Sequence, residues 1–237
     1  MKTTVDEIAP NVFRLSTLIP DVAPGGFSFN QFLIRDEQPF LFHTGMRQLY
    51  PLVSDAIKSL IPIESLRWIS FAHVEADECG AMNLLLADAP NAEVVQGPLA
   101  CMLSLNDMAD RPPHVVEDTL DIGSRRLRFL ATPHVPHNWE SGLWFDETND
   151  ILFAGDLLSH TGDGPAVVDT DIVEPALVAE EVFHSTSLGG NLQTTLAQLA
   201  DLNPTTLAVM HGSSFTGDGA TQLRSMAAGY AAMTAEE

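Results

Sequence analysis

Short runs of β-branched and aromatic residues, bounded by Pro, Gly and Asn, alternate along this chain with stretches at helical spacing. Asn11–Thr17 and Phe27–Ile34 have strand character, Pro39–His43 is a third short strand, and Leu49–Leu60 carries apolar residues at the three-to-four spacing of an amphipathic helix. Arg67–Ala72 predicts a strand, Gly80–Ala87 a helix, Ala92–Gln96 a strand and Pro98–Leu105 a helix. The second half repeats the order: a strand at Leu127–Ala131, a hairpin of Gly142–Phe145 and Ile151–Ala154 turning on Glu147–Asp150, a helix at Leu192–Leu202, a strand at Thr206–Met210 and a closing helix at Thr221–Ala231. Two strand-rich halves with helices outside them point to an α+β fold, two packed sheets flanked by helices in four αββα layers, rather than to a doubly wound parallel sheet. No repeat or linker divides the chain, so residues 1–237 are expected to form a single domain.

Composition narrows the partners. With 45% hydrophobic and 18% charged residues there is ample material for a core. Lys and Arg number 11 against 32 Asp and Glu, a net charge of −21, which disfavours nucleic acid and anionic membranes as partners. The two cysteines, Cys79 and Cys101, make no Cys-x-x-Cys pair or disulfide framework. Without an apolar leader or a run of about 20 apolar residues, a cytoplasmic location is the default expectation.

Chemistry concentrates at predicted strand ends. FAHVEADECG places His73, Glu75, Asp77 and Glu78 within six residues, just after the strand that ends near Phe71. ATPHVPHNWESG places His134 and His137 after the next-half strand, FAGDLLSH leaves Asp156 at the end of the hairpin's second strand, and TLAVM runs into His211. Loops at the C-terminal ends of strands are where folds of this kind mount functional groups. Four strand ends that all terminate in metal-competent side chains point to a metal site. The glycine loops GDGPAV and TGDG open no helix in a phosphate-binding pattern and are expected to be turns.

In this order and spacing the motifs resemble the metallo-β-lactamase superfamily, and within it the lactamase-like domain of flavodiiron proteins and the related stand-alone oxygen-binding diiron proteins. GFSFNQFLI resembles the group's opening strand, LFHTGM stands where the superfamily has Asp-Thr-Gly with His43 in place of the aspartate, and HVEADECG is similar to His-x-Glu-x-Asp-His-x-Gly. HNWESG is similar to a His-Trp-Pro-Asp-Ser segment, which selects His137 over His134 as a ligand. The resemblance implies one metal held by His73, Glu75 and His137, a second by Asp77 and His211, and Asp156 bridging them. Glu78 departs from the pattern's histidine. Either it replaces that histidine as a carboxylate ligand, the reading favoured here, or the second metal is weakened.

Zinc hydrolases of the superfamily use imidazole where this chain has Glu75 and Glu78. The resulting set of three histidines and four carboxylates suits two iron ions, with zinc or manganese as alternatives. The first functional expectation is a diiron oxidoreductase that binds or reduces O2, NO or a related small oxidant, with His43, His134 and His160 as candidates for proton supply or for hydrogen bonds that orient the ligands. The resemblance also implies a homodimer. No flavin-binding segment follows the site, so no flavin is expected on this chain, and electrons would come from a separate donor. Two alternatives stay open: a metal-hydroxide hydrolase of an ester, thioester, lactone or phosphodiester, with Trp139 and Phe215 lining an apolar pocket, and a non-catalytic O2 or redox sensor. The acidic Val168–Glu181 stretch is expected either to cover the site or to form a dimer face.

Overall fold

The computed structural model describes residues 1–235. Two seven-stranded sheets stack face to face. The first holds β1 (Thr3–Ala9), β2 (Val12–Ile19), β3 (Phe27–Ile34), β4 (Phe40–Phe42), β5 (Trp68–Ser70), β6 (Glu93–Gln96) and β7 (His114–Val115), in that spatial order. Its first four strands are antiparallel and the rest parallel. The second holds β8 (Thr119–Asp121), β9 (Arg126–Ala131), β10 (Gly142–Asp146), β11 (Ile151–Gly155), β12 (Val167–Val168), β13 (Thr206–Val209) and β14 (Ser214–Thr216), ordered β12-β14-β13-β11-β10-β9-β8.

Alternation along β3 shows how the layers are built. Phe32 and Ile34 face the second sheet, while Phe29 and Leu33 face the opposite way. Between the sheets Phe32 and Phe42 meet Phe153 edge-on with ring centroids 5.9 and 5.7 Å apart, and Phe40 meets Trp144 at 5.3 Å. Trp144 is fully buried, and its Nε1–H donates to Ser70 Oγ at 2.8 Å, so the indole spans the sheets without an orphaned donor. Outside the first sheet lie helices α1 (Tyr50–Lys58), α2 (Ala76–Cys79) and α3 (Met82–Asp88), then α4 (Pro98–Ala100) and α5 (Asn106–Met108), joined by a π turn over Cys101–Leu105. Outside the second lie α6 (Val173–Phe183), α7 (Leu192–Asp201) and α8 (Gly219–Ala235). The four-layer αββα sandwich is therefore the observed architecture. Among the described residues no helix is long and apolar enough to cross a membrane.

Three local differences from the sequence reading have physical reasons. The helix expected over Gly80–Ala87 is α3, which starts at Met82, and a separate short helix, α2, precedes it because the chain after Glu75 turns at once into helical backbone. The second TGDG, Thr216–Gly219, does lead from a strand into a helix: Asp218 accepts the Thr221 N–H at 2.9 Å and caps α8. The unanticipated strands are short or lie at sheet edges; β1 carries polar residues that a buried-strand pattern does not select.

Candidate metal centre

Strand direction gathers the site. β9 and β11 are both antiparallel to β10, and β13 is parallel to β11, so all three end at one edge of the second sheet. The loops beyond these ends carry His137, Asp156 and His211. The first sheet delivers His73 beyond β5, where the Gly142 N–H donates to Ala72 O at 2.9 Å and holds the two sheet edges together. After His73 the chain turns sharply into α2, which carries Asp77 and Glu78 in its first turn. Gly80 closes α2, where a Cβ would lie 2.2 Å from Ala76 O.

His73, Glu75, His137 and Asp156 each offer a ligand atom within 4.8 Å of the others. His73 Nε2 lies 2.8 Å from Glu75 Oε2 and 3.7 Å from Asp156 Oδ2, and His137 Nε2 lies 3.1 and 3.6 Å from the same two oxygens. The other carboxylate oxygen of Asp156 faces a second group: Asp156 Oδ1 and Asp77 Oδ2 are each 3.3 Å from His211 Nε2. Asp156 thus presents one oxygen to each half of the site.

The imidazole orientations are set from outside. His211 Nδ1 lies 2.7 Å from Ser28 O, an oxygen that can only accept, so Nδ1 carries a hydrogen and Nε2 is turned inward. A neutral His211 would aim its Nε2 lone pair at two carboxylate oxygens, an arrangement that requires a cation between them. Protons alone would have to be held very firmly. Burial lowers the affinity of His211 for a proton, but the facing carboxylates of Asp156 and Asp77 more than reverse this and raise its pKa to about 10. In His73, burial is likewise outweighed by Glu78, Glu75 and Asp156, giving about 10. Glu75 is held far below the usual carboxylate range by hydrogen bonds from His137 and His73. His137 Nδ1 and Asp156 Oδ1 are buried without hydrogen-bond partners. Such a donor set fits divalent metal ions, which would displace the protons and satisfy the lone pairs.

A profile described as ODP family beta lactamase matches residues 27–212, the span that holds every strand end described above. The chain belongs to this ODP beta-lactamase family. A protein of Synechocystis sp. described as a diflavin flavoprotein is 27% identical over 186 residues, covering 76% of this chain and 31% of its own length. An anaerobic nitric oxide reductase flavorubredoxin of Salmonella arizonae is 30% identical over 142 residues, covering 55% of this chain and 28% of its own. The chain therefore spans about a third of the length of the curated relatives it matches. The metal-soaked flavodiiron core from Synechocystis sp. superimposes with a TM-score of 0.86 at 19% identity, over 99% of this chain and 62% of that one, which establishes the shared fold.

In this ODP-family chain a cavity of about 170 Å³ opens on the site. Glu75, Asp77, His137, Asp156 and His211 form its floor, and Phe27, Ala176, Ala179, Phe183 and Met226 form much of its wall. Helix α6 lies within the Val168–Glu181 stretch and its continuation, so that stretch covers the site. Trp139 and Phe215 do not line the cavity: Trp139 is exposed beside a separate groove and Phe215 is packed in the core.

The outer histidines separate into three cases. His134 is exposed in its loop and is not brought to the site, which corrects its expected supporting role. His160 accepts the Ser213 N–H at Nε2 (3.0 Å), so its Nδ1–H donates to Leu158 O (3.0 Å) and the ring props the turn after His211. His43 is fully buried behind the site, with Nε2 3.4 Å from Glu78 Oε1, and burial lowers its pKa to about 3. Glu78 lies on the far side of His73 from the cavity floor. Its Oε2 accepts the His73 backbone N–H at 2.7 Å and its Oε1 lies 3.4 Å from His73 Nδ1. That placement argues against the expected direct replacement of a histidine ligand.

Sequence reasoning missed Ser28, Asn30 and Glu140. Asn30 Nδ2 donates to Val209 O and Gly212 O, both at 2.9 Å, and Glu140 Oε1 accepts the Val74 N–H at 3.0 Å. Asn30 could have been found, since it shares with Phe32 and Ile34 the strand face turned to the second sheet, where an amide calls for a buried partner.

Proposed function

We propose that this chain holds two iron ions and reduces O2 or NO with electrons from a donor outside these residues. One ion would be held by His73, Glu75 and His137, the other by Asp77 and His211, with Asp156 shared between them. Glu78 would orient His73 through its Nδ1–H, in the carboxylate–histidine–metal arrangement common in metal sites. The observation that carries the reading is the small cavity floored by carboxylates and histidines and walled by Phe27, Phe183, Ala176 and Met226. At about 170 Å³ it falls below the roughly 300 Å³ at which pockets for larger organic ligands begin. Its mostly apolar wall, interrupted by Glu180 and Tyr230, suits an uncharged diatomic molecule, whereas its carboxylates would repel a phosphodiester.

The iron pair would supply the electrons and the open coordination position for a small oxidant. The chain's residues do the rest. Ser28 fixes the tautomer of His211 and Glu78 holds the backbone of His73, while the mostly apolar wall limits water. The mixed carboxylate and imidazole set supports iron over zinc, and the similarity to a nitric oxide reductase flavorubredoxin supports the reaction class. We propose further that residues 1–237 act as one domain, in the cytoplasm and as a homodimer. The exposed Val178, Val182 and Leu188 beside the cavity support an interface there, and the absence of a disulfide between the buried Cys79 and Cys101 is compatible with a reducing compartment.

The experiment is metal content and spectrum of protein produced with iron, zinc and manganese available and purified without oxygen. Two irons per chain and a spectrum that changes on addition of O2 or NO support the proposal. Two zincs that resist exchange for iron would overturn it in favour of hydrolysis. Reversible O2 binding without consumption, given a supplied reductant, would leave a sensor.

A further inference from the structure

A second cavity, of about 270 Å³, lies on the other side of the His211 turn, between β1, β2 and the loop Gly162–Ala166. Arg14 lines it. This guanidinium is 5% exposed, yet it forms no ion pair among the described residues. Its Nη2 donates to Gly212 O at 2.9 Å and its Nε is buried with no hydrogen-bond partner. Asp6, directly across from it in the β1–β2 register, and Asp163 both line the cavity and favour its charge, but neither forms an ion pair with it. Burial dominates and lowers the Arg14 pKa to about 10. Buried charges in folded proteins are ordinarily paired, since an uncompensated one is strongly destabilising.

We propose that this cavity is a binding site for a small oxyanion, held by Arg14 with Lys2 and Ser16 at its sides. A planar guanidinium is suited to the oxygens of a carboxylate, phosphate or sulfate. Ser16 lines the same space, and Gly162 leaves the loop open there, with nothing within 4 Å of where its Cβ would be. The glycine loop that the metal centre leaves unused thereby gains a role. Asp163 is exposed and Asp6 half-buried, so solvent screens both carboxylates, and each weakens an anion without ion-pairing with Arg14. Because Arg14 and Asn30 both donate to Gly212 O, the oxyanion sits one residue's backbone away from His211.

The test is a titration of the metal-loaded protein with sodium sulfate against sodium chloride at matched ionic strength, followed by thermal midpoint and calorimetry. The expected result is a saturable response to sulfate, weakened about tenfold or more in Arg14→Gln and tightened about threefold in Asp163→Asn. No saturable response beyond chloride would overturn the proposal. So would equal affinity in wild type and Arg14→Gln, because sulfate would then be bound elsewhere, such as at the metals. Should Arg14→Gln fail to fold, Asp163→Asn decides alone, and unchanged affinity in that variant overturns the site.

Discussion

Glu78 grips His73 at two points: one carboxylate oxygen accepts the histidine's backbone N–H at 2.7 Å, and the other lies 3.4 Å from its Nδ1. The backbone bond fixes where His73 stands, and the carboxylate beside Nδ1 leaves Nε2 as the ring nitrogen turned to Glu75 and Asp156. Glu78→Gln keeps the acceptor for the backbone but alters the partner of Nδ1. Metal affinity at the His73 position is expected to fall by about 10- to 100-fold while the His211 position is spared, measured by chelator competition. Outright loss of the ion at His211, with the other retained, would instead make Glu78 a ligand.

Asp156 presents one oxygen to each half of the site, so Asp156→Asn is expected to empty most of both positions. Metal analysis should give well below one ion per chain. His134→Ala is the matched control, since the exposed ring takes no part in the site, and its metal content should equal wild type.

Gly212 follows His211 with φ of +93°, and a Cβ there would lie 2.3 Å from His160 Nε2. Both strain and overlap oppose any side chain. Gly212→Ala is expected to cost about 1–3 kcal/mol from the backbone alone, read by denaturant unfolding. Displacing His160 should also loosen the turn that carries His211, lowering metal affinity at that position.

Arg125 Nη1 lies 2.6 Å from Asp146 Oδ2, both groups being almost fully buried, and its Nε lies 3.8 Å from Asp36 in the first sheet's β3–β4 connection. Arg125→Met would leave Asp146 charged and unpaired. The expected loss is about 3–5 kcal/mol, whereas Arg125→Met combined with Asp146→Leu should recover much of it.

Alkaline pH should destabilise the fold before it alters the backbone. Burial raises the Cys101 thiol to about 11, and burial together with a hydrogen bond to Asp88 raises Tyr50 to about 12. Both groups hold their protons more tightly folded than unfolded. Their stabilising contribution is therefore complete below the unfolded values, near 9 and 10, and is lost as pH rises through 11 and 12. The thermal midpoint should fall steadily above pH 9, and a thiol reagent at pH 8 should label native protein slowly but unfolded protein at both cysteines.

Much of the fold was legible because the period of apolar residues reports burial directly: β3 was anticipated at its observed ends, and the β10–β11 hairpin followed from its turn residues. The edge strands were not legible, since a strand with one neighbour need not carry a buried pattern. The site's contributors were legible for a related reason. A histidine or aspartate that ends an apolar run has its backbone position set locally, by the strand before it.

What the amino-acid order determined by itself was therefore which residues stand at strand ends: His73, His137, Asp156 and His211, with Glu75 and Asp77 close by. Only the tertiary structure decided which way their side chains point. It set Glu78 behind His73, removed His134 to the surface, turned His160 to a structural hydrogen bond and brought Ser28 to His211 across 183 residues of chain. Those outcomes depend on how two sheets stack and where their edges meet, and no local pattern carries information about a partner in the other sheet.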